Sequence, residues 1–156
     1  MSYILLNEQV KNILSVDDGL LSSACNVTAL LWHALEDINW LGFYYVDETS
    51  NCLRLGPFQG QVACTQIAYG KGVCGTAWET GEIQRVEDVH AFPGHIACDQ
   101  ASNSEIVLPL KRNGQVFAVL DIDSPSYGRF RPADEEGLKR IQATIEDFLQ
   151  ELMAPL

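Results

Sequence analysis

Positive charge is scarce in this sequence: 156 residues carry 10 Lys and Arg against 21 Asp and Glu, a formal net charge of -11. That balance repels nucleic-acid phosphates and anionic lipid headgroups, so neither nucleic acid nor membrane is expected as a partner. Long apolar runs are also missing. Glu8 and Lys11 interrupt the apolar residues of positions 1–16, which removes the unbroken stretch of an export signal or a membrane span. The expected location is the cytoplasm. Cysteines number five, an odd count that excludes a full set of paired structural disulfides and points to reactive or buried thiols. Repeats and linkers are absent as well, and a chain of this length buries roughly 70% of its unfolded surface in one core.

The pattern that is present alternates between helical and strand periods. Ala24, Val27, Leu30, Leu31, Ala34, Leu35 and Ile38 recur at the spacing of one helical face, which predicts a helix over Ser22 to Asp37 with Cys25 in its buried surface. Trp40 to Val46 is aromatic and β-rich. The polar Asp47 to Cys52 segment then turns the chain toward Leu53–Leu55, a predicted hairpin whose second strand Cys52 opens. Val73 to Thr80 reads as a short helix stopped by Gly81, followed by a strand at Gln84–Val86. Ile106 to Leu110 and Val116 to Ile122 flank Asn113-Gly114, the pair that a tight hairpin turn requires. Helical spacing returns from Pro132 to Leu152. The predicted class is α+β: a central antiparallel sheet with the N- and C-terminal helices packed on one face.

Three segments carry a family resemblance: Gly56-Pro-Phe-Gln-Gly with Ala63-Cys64, Gly70-Lys-Gly-Val-Cys-Gly-Thr, and His90-Ala-Phe-Pro-Gly-His-Ile-Ala-Cys98-Asp. With Ala101-Ser-Asn-Ser-Glu-Ile and Leu120-Asp-Ile-Asp-Ser-Pro they span most of the chain, and together they resemble the free methionine-(R)-sulfoxide reductases, a GAF-domain family. The resemblance implies one GAF domain over 1–156, with N-terminal helices in 1–38, the sheet and catalytic loops in 39–131 and a C-terminal helix in 132–152. It implies Cys98 as nucleophile, Cys64 as resolving cysteine and Cys74 as an auxiliary thiol able to exchange disulfides. Glu105, Asp121 and Asp123 would be the carboxylates of the substrate pocket, with Trp40 and Tyr44 as its apolar wall. No bound cofactor and no metal are implied. The electrons would come from an external dithiol, thioredoxin by resemblance.

The residues themselves support that chemistry in part. Reducing a sulfoxide with a thiol needs a thiolate, an acid for the departing oxygen and a second cysteine to condense with the sulfenic acid left behind. His95 lies three residues from Cys98 and His90 eight, so a cationic imidazole, or a helix N-terminus, could favour the thiolate. Taken alone, Cys98 reads as a small buried hydrophobe, a reading its Pro-Gly-His loop weakens, whereas Cys64 and Cys74, each followed by a polar or glycine residue, read as loop positions rather than buried core thiols. Asp121 and Asp123 alternate with Ile122 and so share one strand face, which Glu105 on the preceding strand can join. Clustered carboxylates keep one another protonated, whereas a solvated acidic edge would not. An acidic cluster would also bind the ammonium group that distinguishes a free amino acid from a peptide residue. Trp40 and Tyr44 share a strand face, while Phe43 and Tyr45 read as core.

Two rival readings stand beside this one. A ligand-sensing GAF module without catalysis is the first, since fold does not set function. A sensor normally works with an output domain, and none is expected here. A zinc site from Cys64, Cys74, Cys98 and His95 is the second. Intervals of ten and twenty-four residues between these cysteines lack the paired spacing of structural zinc. The sequence leaves open whether the domain dimerises through its terminal helices.

Overall fold

The computed structural model describes residues 2–95 and 101–152. Two helices, α1 (Tyr3–Ile13) and α2 (Gly19–Ala34), precede the strands β1 (Trp40–Asp47), β2 (Cys52–Gly60) and β3 (Gln66–Ala68). Helix α3 (Gly72–Thr80), strand β4 (Gln84–Val86), the long pair β5 (Ser104–Arg112) and β6 (Gln115–Ser124), and helix α4 (Pro132–Leu152) complete the order. The strands form one sheet in the order β3-β2-β1-β6-β5-β4, antiparallel at every pairing. As expected of an α+β fold with terminal helices on one face, α1, α2 and α4 cover the same side.

Strand alternation divides the molecule into two apolar clusters. Leu41, Phe43, Ile106, Leu108, Leu120 and Ile122 point toward α1, α2 and α4, where Leu6, Val10, Leu31, Leu138 and Ile141 complete the main core. Trp40, Tyr44, Val107 and Val119 point the other way and meet Val73, Cys74 and Ala77 of α3. Among the described residues, α3 is the helix that packs on this second face. Polar groups collect against the first turn of that helix.

Local chemistry sets the element ends. Gly81 takes φ 68° at the end of α3, the left-handed cap that an L side chain resists. Asn113 and Gly114 adopt φ 53° and 77° between β5 and β6, as the hairpin turn demands. Three expectations change. Helix α2 begins earlier and stops at Ala34, because Leu35 is already extended and Asp37 is left-handed at φ 55°. Strand β2 runs past Leu55 through Gly56 and Pro57, because a bulge opposite Phe43 shifts the register between Gly42 and Tyr44 and accommodates a proline that cannot donate to the ladder. Cys25 is exposed rather than buried: it sits two positions before Val27, on the side of α2 turned from the core stripe. Tyr45 is likewise 45% exposed, while Phe43 is core at 7%.

Candidate active site

Strand register alone brings three carboxylates together. Glu105 of β5 pairs with Asp123 of β6, and Val107 pairs with Asp121, so Glu105, Asp121 and Asp123 lie on one face of two central strands. On the other flank of β6, Asp123 pairs with Trp40 and Asp121 with Gly42. Burial is nearly complete, at 6% exposure for Glu105, 6% for Asp121 and 9% for Asp123. A solvated acidic edge is therefore excluded. The first turn of α3 closes over the carboxylates and adds Cys74, whose Sγ lies within 4.8 Å of oxygens of both Glu105 and Asp121.

Protons must be shared in such a cluster. Burial pushes Glu105 well above the usual carboxylate range, and the charges of Asp121 and Asp123 push in the same direction. Burial also raises Asp121, while hydrogen bonds received from Glu105 and Cys74 pull it back. The arrangement is a protonated Glu105 and a neutral Cys74 thiol donating to Asp121. Cys74 is itself raised well above the ordinary thiol value, by burial first and then by the charges of Asp121 and Glu105. Asp121 Oδ1 is buried with no hydrogen-bond partner, an acceptor with nothing to accept.

An aromatic wall borders the acids. Trp40 stacks against Tyr44 at 5.8 Å and against Phe58 at 5.4 Å between ring centroids. Gly42 makes room for that stack: a Cβ there would lie 2.4 Å from Phe58 Cβ and 2.8 Å from the Trp40 ring. The polar ends of the same aromatics hold the loop between β2 and β3. Trp40 Nε1 donates to the Gln61 carbonyl at 3.1 Å, and the Tyr44 hydroxyl to the Cys64 carbonyl at 2.9 Å. Burial and the surrounding acids raise the Tyr44 phenol, which keeps it a donor. Cys64 is half-buried in that loop and disulfide-bonded, whereas Cys25, Cys52 and Cys74 are free thiols.

Sequence comparison adds the family. The GAF domain model matches residues 26–150. A free methionine-R-sulfoxide reductase of Escherichia coli K12 is 50% identical over 147 residues, covering 94% of this chain and 88% of that protein. The chain belongs to the GAF-domain family of free methionine-(R)-sulfoxide reductases. Two solved structures match with comparable extent. That of fRMsr of Staphylococcus aureus in complex with substrate is 44% identical with a TM-score of 0.88, covering 95% of each chain. That of the Neisseria meningitidis free methionine-R-sulfoxide reductase in complex with its substrate is 38% identical with a TM-score of 0.90, covering 96% of this chain and 89% of that one.

In this GAF domain one pocket gathers Trp40, Tyr44, Cys74, Glu105, Asp121 and Asp123, six of the eight residues singled out from the sequence. Cys64 stands at its rim through Tyr44. Cys98 lies outside the described residues. Two expectations about the thiols need correction. Cys74 belongs to a helix, not a loop, and is 5% exposed. The imidazolium anticipated near Cys98 is disfavoured at His95, which also lines the pocket: burial, then the neighbouring His90, lowers its pKa. His90 itself points to Asp88, with Nδ1 2.9 Å from Oδ1. Lys71 and Ser102 line the pocket too and escaped the sequence reading. For Ser102 no periodic signal exists, whereas Lys71 stands two residues before a predicted helix and could have been placed.

Proposed function

We propose that this chain reduces free L-methionine-(R)-sulfoxide to methionine in the pocket between β1, β5, β6 and α3, through its own thiols. The carrying observation is the buried trio Glu105, Asp121 and Asp123 against the Trp40 and Tyr44 wall. The 50% identity to a protein named for that activity supports the same substrate.

The cycle assigns one task to each group. The Cys98 thiolate attacks the sulfoxide sulfur and the proton held at Glu105 passes to the sulfoxide oxygen; the oxygen then transfers to Cys98 Sγ as its bond to the methionine sulfur and the new sulfur–sulfur bond break, so methionine leaves and Cys98 becomes a sulfenic acid. Glu105 is suited to the task because burial, then the charges of Asp121 and Asp123, hold its proton well above the usual carboxylate range. Asp121 and Asp123 supply the negative charge that attracts the substrate's ammonium group. That charge selects a free amino acid over a peptide residue, whose nitrogen is an uncharged amide. Trp40 faces the S-methyl group, where sulfur–aromatic contact contributes roughly 0.3–1.5 kcal/mol.

Cys64 then condenses with the sulfenic acid, releasing water and leaving a disulfide between the two cysteines. The disulfide form of Cys64 beside three free thiols accords with that role. An external dithiol, with thioredoxin as the expected physiological donor, returns both sulfurs to thiols by exchange. No bound cofactor enters the cycle. Cys74 stays out of the exchange in this reading. A thiol so deeply buried and held neutral is a poor nucleophile, and it serves as a donor to Asp121.

The test is direct. Purified protein with dithiothreitol is offered free L-methionine-(R)-sulfoxide, the S epimer and a peptide-bound sulfoxide in parallel. Turnover of the free R form alone is expected. Absence of turnover on all three, with thiols confirmed reduced, would overturn the reading in favour of a ligand-sensing module.

A further inference from the structure

The cycle above uses Glu105 and Asp121 as proton holder and anion and leaves Cys74 a bystander. Geometry offers those three groups a second occupation. Their ligand atoms all lie within 4.8 Å of one another and all three residues are buried. Around a tetrahedral zinc ion, thiolate and carboxylate ligand atoms sit about 3.4–3.6 Å apart, so rotamer adjustments of about one ångström would close the set. Asp121 Oδ1 is the second, independent sign: a buried acceptor with no hydrogen-bond partner, in a residue that lines the pocket. Carboxylates this deeply buried are costly unless something positive pairs with them. Cys74, in the first turn of α3, brings its sulfur to the two carboxylates, and a bound metal would take that sulfur as the thiolate by displacing its proton.

We propose that Cys74 Sγ and the carboxylates of Glu105 and Asp121 bind a thiophilic divalent cation, zinc in the physiological case, which excludes the sulfoxide from the same groups. Three protein ligands leave the fourth position to water, the composition of an open site. Binding releases the Cys74 thiol proton and the proton held by Glu105, and consumes no electrons. The cation would occupy Glu105 and Asp121, which line the pocket the sulfoxide enters, so it is an inhibitor. This second half rests on the reductase reading, whereas the binding itself does not.

Zinc linkage through sequence neighbours was unpromising because the cysteines are widely spaced. The set found here uses only one cysteine and draws its other ligands from β5 and β6. Cys25 and Cys52, the other free thiols, have no comparable pair of carboxylates among the described residues. They serve as internal controls.

Cobalt(II) titration of the full chain, freed of small-molecule thiols and with the Cys64 disulfide intact, reads the site by its thiolate-to-cobalt absorption. One equivalent is expected, displaced by one equivalent of zinc. Cys74→Ser should abolish the band, Asp121→Asn should weaken binding at least about tenfold, and Cys25→Ser and Cys52→Ser should leave it unchanged. No thiolate band, or a band that survives Cys74→Ser, would overturn the site. Circular dichroism checks that each variant is folded, and should Cys74→Ser fail there, a band that Asp121→Asn leaves at full affinity would equally overturn it. The inhibitory half is read in single-turnover methionine release from pre-reduced protein without added thiol. Zinc should raise the half-saturating sulfoxide concentration without lowering the plateau rate; a lowered plateau with unchanged half-saturation would refute competition. If metal-free protein releases no methionine, the reductase reading has failed, and the cobalt titration still decides the site.

Discussion

Replacing Glu105 by Gln separates the cost of the acid from its use. The side chain keeps its shape and hydrogen-bonding reach but loses its proton equilibrium. In the unfolded chain this carboxyl gives up its proton near 4.5, whereas in the fold burial, then Asp121 and Asp123, hold the proton to well higher pH. Between those two values the native state binds more protons than the unfolded state, so stability falls as pH rises. The slope is about 1.4 kcal/mol per pH unit for one proton. Raising the pH within that window therefore costs the wild type stability that the Gln variant does not lose. Urea denaturation of both proteins from pH about 5 upward measures this as a difference in slope, and a constant offset from imperfect packing drops out. Asp121 stays in both proteins and contributes to both curves. Turnover should move the opposite way, with kcat lower by about 10²–10⁴ for loss of a general acid. Parallel stability curves would refute the claim that Glu105 holds its proton in the fold. Unchanged kcat would refute its role as the acid.

Further expectations follow from the thiols and the aromatic wall. Cys98→Ser should abolish turnover, whereas Cys64→Ser should release one methionine per chain and leave a sulfenic acid that a 1,3-diketone probe captures by mass spectrometry; multiple turnover in the Cys98 variant would refute the assignment. Tyr44→Phe removes the 2.9 Å hydrogen bond to the Cys64 carbonyl. It should cost about 1 kcal/mol in thermal unfolding and slow disulfide closure more than methionine release, as quenched-flow analysis would show. Gly42→Ala puts a Cβ 2.4 Å from Phe58 Cβ. It should destabilise by about 1–3 kcal/mol and raise KM by displacing the Trp40 and Phe58 stack.

Period two made much of the site legible in advance. Asp121 and Asp123 had to share a face with each other and not with Ile122, and Trp40 had to share one with Tyr44. Asn113-Gly114 fixed β5 against β6, which brought Glu105 into line. The same rule failed at Tyr45, because it says which face a side chain takes but not how far along the strand the helices reach. Cys25 was misjudged for a related reason: α2 is apolar on more than its buried stripe, with Leu21 71% exposed, so hydrophobic composition alone did not mark the boundary. The extension of β2 through Pro57 depends on a bulge, which has no period. Cys74 could have been placed from the predicted helix at Val73. Its approach to Glu105 and Asp121 could not, since it depends on how α3 crosses the sheet.

The position of the acids in the sheet explains why this face can hold reactive chemistry at all. Central strands are flanked on both sides, so β5 and β6 are fixed by the neighbours β4 and β1 as well as by the core beneath. Ile106, Leu120 and Ile122, each at 0–1% exposure, lie between the acids in sequence and point into the packed side. Each such residue contributes roughly 1.5–3 kcal/mol by burial, enough to offset a proton held away from its ordinary equilibrium on the opposite face. An acidic pair at a sheet edge would relax toward water and lose its raised pKa. On these strands it cannot move without dragging Ile106 or Ile122 out of the core. The strain of the site is thus supported by the residues that alternate with it, and a cavity beneath it, as in Ile122→Val, should cost about 0.5–1.5 kcal/mol while also loosening the hold on Asp121 and Asp123.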